Sequence, residues 1–306
     1  MFWGQINFRS FKMNIQAHSL LNNLDDRSSL QRSNVDGCCL TWRAWGSQNI
    51  DRRPVVLLHG GFGAWNHWIR NIPVLEKDFN VLAVDLPGCG DSSDPPKPYT
   101  AESLATIISS SLDDVLGEHF SFDLIAFSFG GFLSGLLAHL QKQRINSVTL
   151  IGSPILGLTG DGPANDLIEV PKELSEVEKK PMYLHNLRQL MVYKPESADE
   201  LALTIHIENM AKARLRSRGI ARTSILAESL KNLPCSLHCL FGEKDTTLYP
   251  GLDGIEKYVR DIHPNASFYI VENAGHWVQF EASEKVNAIL SQILNINNIL
   301  GCFFIL

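Results

Sequence analysis

Ser128, Asp245 and His276 are the residues whose chemistry could work together. A serine hydroxyl is a weak nucleophile until a base takes its proton, and a carboxylate usually holds that base in one tautomer. Each of the three follows an apolar run that reads as a strand. Phe122 to Phe127 precedes Ser128. Ser236 to Phe241 precedes Gly242-Glu243-Lys244-Asp245. Ser267 to Val271 precedes Glu272-Asn273-Ala274-Gly275-His276-Trp277. Turns that follow parallel strands of one sheet share its carboxyl edge, where open α/β sheets place their sites.

The serine turn reads Ala126-Phe127-Ser128-Phe129-Gly130, a G-x-S-x-G nucleophile elbow with alanine for the first glycine. Small residues on either side let strand and helix approach closely while the serine takes a strained turn conformation. The backbone N–H of Phe129, at the helix start, points to where an oxyanion would form. A second strand, Pro54 to Leu58, ends in His59-Gly60-Gly61-Phe62-Gly63, whose free N–H groups can complete an oxyanion hole. The bland readings are a serine in a glycine-rich turn and a plain glycine loop. His59 is read as a hydrogen-bonder that fixes its turn, and Asp85, beside Pro87-Gly88, as a carboxylate that ties a loop.

Strands alternate with helices along most of the chain, which predicts an α/β protein with a mostly parallel, doubly wound sheet. Strands are expected at Cys38 to Trp45, Pro54 to Leu58, Asn80 to Val84, Phe122 to Phe127, Ser147 to Ile151, Ser236 to Phe241 and Ser267 to Val271. Helices are expected at His67 to Leu75, after the Thr100 cap, after Ser128, and over Glu281 to Leu294. Residues 155–230 show helical patterns and no clear strand, and read as a helical lid inserted over the active edge. The core then comprises 35–154 and 231–296. Residues 1–34 are polar and read as a poorly ordered extension, and 297–306 as a tail ending in an apolar Gly301-Cys302-Phe303-Phe304-Ile305-Leu306. Within the lid, Arg214, Arg218 and Arg222 recur at helical spacing and suggest a solvated face. Arg188 sits among apolar residues and is the better candidate to touch a substrate.

The 306 residues carry a net charge of -6 with no basic block, which argues against a nucleic-acid partner. Six scattered cysteines form no C-x-x-C pair, so no metal site or disulfide framework is expected, and a reducing, cytoplasmic setting fits. No stretch is long and apolar enough for a membrane span, and no secretory pattern stands at the N-terminus. A small-molecule substrate, no cofactor, and room for a homo-oligomer complete the expectation.

The chain order Ser, Asp, His, with His59-Gly60-Gly61, Asp85-Leu86-Pro87-Gly88, the Ser128 elbow, Gly242-Glu243-Lys244-Asp245 and Gly275-His276-Trp277, resembles the α/β-hydrolase family over 36–296. The resemblance implies Ser128 as nucleophile, His276 as base and then acid, and Asp245 as its orienter. Glu243 and Asp161 are rival acids. It implies an oxyanion hole from the N–H groups of Phe129 and Gly61, with Phe62 the alternate to Gly61. Gly63-Ala64-Trp65-Asn66-His67-Trp68, Leu190-Met191-Val192-Tyr193 and Gly275-His276-Trp277-Val278-Gln279-Phe280-Glu281 look like the meta-cleavage-product hydrolases, which cleave carbon–carbon bonds in vinylogous 1,5-diketones. Arg188 and Trp277 match positions that contact substrate there, and Phe62 joins them as a candidate for that role. The branch usually has asparagine before the serine and methionine after it, where Phe127 and Phe129 stand here. Its glycine-proline loop after the histidine is also altered here. The implied activities are hydrolysis of a small ester or related acyl bond in a lidded apolar pocket and, alternatively, carbon–carbon hydrolysis. A ligand-binding receptor on the same fold is the reading from another class.

Overall fold

Burial with a period of two builds the sheet. In the computed structural model, which describes residues 3–46, 51–157, 166–248 and 250–301, strands β3 (Pro54–Leu58) and β5 (Phe122–Phe127) are buried on both faces. Val56, Leu58, Leu124 and Ala126 enter one core; Val55, Leu57, Ile125 and Phe127 enter the other. Each such aliphatic side chain contributes about 1.5–3 kcal/mol by leaving water.

The remaining strands are β1 (Ser29–Val35), β2 (Cys38–Trp45), β4 (Asn80–Asp85), β6 (Ile145–Ile151), β7 (Ser236–Gly242) and β8 (Ser267–Val271). The sheet runs β1-β2-β4-β3-β5-β6-β7-β8. β2 pairs antiparallel with β1 and β4, and every other pair is parallel. The register sets Leu58 beside Ala126, Phe127 beside Ile151 and Gly242 beside Val271, so His59, Ser128, Asp245 and His276 all follow strand ends on one edge.

The helices in chain order are α1 (Trp3–Asp26), α2 (Ile72–Leu75), α3 (Ala101–Leu116), α4 (Phe129–Leu140), α5 (Glu176–Leu190), α6 (Glu200–Lys212), α7 (Ser217–Ile220), α8 (Ile225–Leu230), α9 (Leu252–Ile262), α10 (Val278–Glu281) and α11 (Ser283–Gly301). Residues of α3, α4, α8 and α9 pack into one core; residues of α1, α2, α5, α6, α10 and α11 pack into the other.

Several expectations need correction. The described part of the segment 1–34, residues 3–34, is not irregular. α1 buries Leu21 and Leu24, Trp45 donates its indole N–H to the Leu24 carbonyl at 2.8 Å, and β1 lies on the edge of the sheet. His67 to Leu75 is not one helix but a 3-10 turn, Trp65–Trp68, followed by α2. Pro73 lacks the N–H that a continuous helix would bond back to Ile69, and Asn71 becomes a cap instead. α8 is not part of a cover over the edge. It packs on α4, where the bare Cα of Gly135 admits Ser229: a Cβ there would lie 2.0 Å from the Ser229 hydroxyl. The closing helix continues past Leu294 to Gly301, and the apolar end beyond it lies outside the described residues. α9 was not anticipated, although Ile255 and Val259 mark its buried stripe.

Among the described residues no helix is long and apolar enough to cross a membrane, and no group of His, Cys, Asp and Glu side chains is placed to hold a metal ion. The five described cysteines are unpaired.

Candidate active site

Ser128 is forced into its place by the strand on one side and the helix on the other. Its N–H donates to the Ile151 carbonyl at 2.8 Å, and its carbonyl accepts from the Phe132 N–H at 3.0 Å. The backbone in between turns through φ 50 and ψ -112. A non-glycine residue held there carries strain of about 1–3 kcal/mol, and the surrounding contacts must over-determine it. Gly130 and Gly131 supply those contacts. A Cβ on Gly130 would lie 2.6 Å from the His59 carbonyl oxygen, and one on Gly131 would lie 1.8 Å from Ser153 Oγ. The helix start can press this closely on the ends of β3 and β6 only because both lack side chains.

His276 Nε2 lies 3.0 Å from Ser128 Oγ, and its Nδ1 lies 2.8 Å from Asp245 Oδ2. The Asp245 carboxylate is wholly buried. Its other oxygen accepts from the Thr247 N–H at 2.9 Å and from the Thr247 hydroxyl at 2.7 Å. Thr247 Oγ1 is also 3.0 Å from His276 Nδ1. A buried carboxylate with both oxygens engaged is held in one orientation, and it in turn holds the imidazole. Gly152, at φ 52 just after β6, makes room for this pair. A Cβ there would lie 3.2 Å from His276 Nδ1 and 3.3 Å from Asp245 Oδ2.

The backbone donors stand opposite. A Cβ on Gly61 would be 3.6 Å from the Phe129 Cβ, so the two turns touch. Their neighbours are committed elsewhere: Gly60 N–H to His67 Nδ1 at 3.4 Å, Gly63 N–H to Gly60 at 3.2 Å, and Gly130 N–H to His59 at 3.1 Å. The N–H groups of Gly61 and Phe129 donate to no described residue. Phe62, at φ 55, is half-buried beside them.

His59 receives the Leu86 N–H on Nε2 at 2.9 Å and sets Nδ1 2.7 Å from the Gly60 carbonyl, which fixes a neutral tautomer within its turn. Burial lowers its pKa, in keeping with that neutrality. Asp85 accepts from the Trp65 N–H, the Asp91 N–H and the Arg43 guanidinium, and so ties three segments together. Glu243 accepts the Asn273 N–H and pairs with Lys244, away from His276; Asp161 lies outside the described residues.

Trp277 is fully buried, its ring 5.0 Å from His67 and stacked 4.2 Å from Phe280, with its indole N–H on the His67 carbonyl at 3.0 Å. It stiffens the turn after His276. Arg188 stands on the exposed side of α5, because that helix buries only Leu187. Its apolar neighbours in sequence do not bury it.

A model of the α/β-hydrolase fold matches residues 53–202, which include the Ser128 elbow and the His59-Gly60-Gly61 turn. The chain has the α/β-hydrolase fold. Among its relatives, a 2-hydroxy-6-oxononadienedioate/2-hydroxy-6-oxononatrienedioate hydrolase of Paraburkholderia phymatum is 25% identical over 79% of this chain and 87% of its own. The dihydrolipoyllysine-residue acetyltransferase component of an acetoin cleaving system from Pseudomonas putida is 28% identical over 84% of this chain and 67% of its own. Among solved structures, a thermophilic esterase from Thermogutta terrifontis superimposes with a TM-score of 0.67 at 21% identity, covering 88% of this chain and 99% of that one. A meta-cleavage product hydrolase from Pseudomonas fluorescens IP01 does so with a TM-score of 0.68 at 20% identity, covering 87% and 97%.

In this α/β-hydrolase three residues around the triad escaped the sequence reading. Thr247 could have been found, since Asp-x-Thr is the spacing of a turn in which the carboxylate caps the N–H two residues on. Gly152 could not, because its role depends on β6 lying beside β7. Nor could Glu281, whose carboxylate accepts the N–H groups of Gly275, Tyr193 and Lys194 at 2.7, 3.0 and 2.7 Å. It clamps the His276 turn to the insertion between β6 and β7.

Proposed function

We propose that this enzyme is a serine hydrolase that cleaves a small ester or related acyl substrate through Ser128, His276 and Asp245. The observation that carries the reading is the continuous relay from Ser128 Oγ through His276 to the buried Asp245 carboxylate, facing two uncommitted N–H groups. As Ser128 Oγ attacks the scissile carbonyl carbon, its proton passes to His276 Nε2. The carbonyl oxygen becomes an oxyanion between the N–H groups of Gly61 and Phe129, each such donor being worth about 3 kcal/mol in the transition state. Asp245 stabilises the imidazolium without taking its proton. His276 then protonates the leaving alkoxide, and the C–O bond breaks to leave an acyl-Ser128 ester. A water molecule gives its proton to His276, attacks the acyl carbon, and the acid departs as Ser128 regains its proton.

α5 and α6, with the segment 191–194, are read as a lid. Leu187, Met191 and Val192 join the same apolar cluster as Phe127, Ile151 and Trp277, which supports an apolar chamber next to the nucleophile. Carbon–carbon hydrolysis of a ring-cleavage dienoate is the second reading. The relatives named as oxononadienedioate hydrolases favour it; the outward Arg188 and the sealed Trp277 weigh against it.

A fluorophosphonate probe tests the first step: it should label the wild type and not Ser128→Ala. A folded wild type that resists labelling would overturn the assignment of Ser128. Relative turnover of aryl esters and of a dienoate separates the two readings, with faster ester turnover expected.

A further inference from the structure

The segment from Arg214 to Arg222 is strapped across the oxyanion turn. The N–H groups of Arg214 and Leu215 both donate to the Gly88 carbonyl, at 2.8 and 3.1 Å, and the Arg214 guanidinium takes Asp94 and the Ser92 carbonyl. α7 is thereby pressed onto Gly61, where an added Cβ would lie 2.5 Å from Ser217 Oγ. Ser217 is buried, and its hydroxyl makes no hydrogen bond among the described residues. The next residue, Arg218, places its guanidinium carbon 5.7 Å above the Phe62 ring.

The three arginines of this segment differ in how their charge is met. Arg214 is paired with Asp94 at 2.5 Å. Arg218 and Arg222 have no acidic partner among the described residues, and desolvation by the packed protein, followed by the charge of Arg222, lowers the Arg218 pKa. Both side chains reach solvent, but they are not independent of the turn beneath them. Here one lies over the aromatic residue that follows Gly61, beside an uncommitted serine hydroxyl. Like charges brought together without an acid raise the local potential, and a bound anion relieves it.

We propose that Arg218 recognises a carboxylate carried by the substrate, with Ser217 Oγ as a neutral donor beside it, so that the enzyme prefers anionic esters to neutral ones. A planar guanidinium matches a carboxylate through two parallel hydrogen bonds, a fit that an ammonium does not reproduce. The proposal rests on the hydrolase reading of Ser128.

Three esters test it: phenyl hexanoate, monophenyl adipate, in which a carboxylate replaces the terminal methyl group, and 4-carboxyphenyl hexanoate. The two charged esters place the anion on the acyl and alcohol sides respectively. For at least one of them, the kcat/KM ratio of charged to neutral ester should fall about tenfold in Arg218→Gln, chiefly through KM, as expected for a lost hydrogen bond to a charged group. Arg218→Lys should keep part of the preference, and Arg218→Glu should reverse it. A ratio equal in wild type and Arg218→Gln for both charged esters overturns the proposal while leaving the hydrolase reading standing. Wild-type turnover of none of the three would overturn that reading, and this inference with it.

Discussion

The two walls of the site are built differently. At the sheet edge α4 buries nine of its twelve residues, and Ser128, Asp245 and His276 are held by bonds within the protein, with only the N–H groups of Gly61 and Phe129 beside them left open among the described residues. Across from it α5 buries one residue of fifteen, so this helix rides on the surface and can shift without opening a cavity in the sheet. The charges differ in the same way. Asp245 has both oxygens filled from within the chain, while Arg218 and Arg222 have no acidic partner among the described residues. A wall whose reacting side chains are held by paired groups, with two N–H donors left open, is preorganised; the arginine wall is the one proposed to meet a charged substrate. On the proposed reading, bond-breaking and choice of substrate are separable, and each can be attacked on its own.

Ser128→Ala should break the comparison at its strongest point, lowering kcat by about 10⁴-fold or more, since triad members act as a unit. Progress curves on phenyl hexanoate measure this, and a variant retaining most of its rate would remove Ser128 from the chemistry. Asp245→Asn should cost about 10⁴-fold in kcat with thermal unfolding little changed, because the amide holds the wrong imidazole tautomer.

Gly152→Ala should lower kcat by about 10–100-fold, as a Cβ crowding His276 and Asp245 displaces the base by a fraction of an ångström. Unchanged kinetics would show that the pair yields easily. Glu281→Gln sharpens the contrast from the other wall. It keeps the shape but weakens three charge-assisted bonds, and should raise the protease susceptibility of residues 191–194 while costing kcat about threefold to tenfold.

The smallest effect concerns stability. Burial holds His206 and His238 at a pKa of about 4, below the ordinary 6.5. Between these values the unfolded chain binds more protons than the folded one, so stability is complete above pH 6.5 and is lost as pH falls toward 4. The loss is on the order of 3 kcal/mol per histidine at most, and urea midpoints across that range should show it. His206→Phe should flatten the slope; an unaltered slope would exclude this histidine from the effect.

Much of the fold could be read from the chain because its central strands are apolar runs ended by glycine turns. β8 begins and ends where the pattern places it, at Ser267–Val271. β1 could not be read, since among Ser29–Val35 only Ser33 is buried and the strand is defined by its partner β2. In the site, the turns bearing Ser128 and His276 announce themselves through small residues placed next to a reactive one. The arginines do not. Arg188 has leucines beside it in sequence and Arg218 has Ser217 and Gly219, yet it is Arg218 that lies over Phe62, because α7 packs on Gly61. Contacts between segments far apart in the chain leave no local periodicity to detect.

Glu281 also has a consequence for anyone exchanging parts between relatives. The insertion enters after β6 and leaves before β7, so it looks like a cassette that could be transplanted by itself. Its inner end, however, is fastened at Tyr193 and Lys194 by a carboxylate encoded nearly ninety positions downstream, on the far side of the last two strands. A chimaera that imports the cassette without the matching acid would inherit an unfastened seam directly behind His276. The natural unit of exchange is therefore discontinuous in the gene.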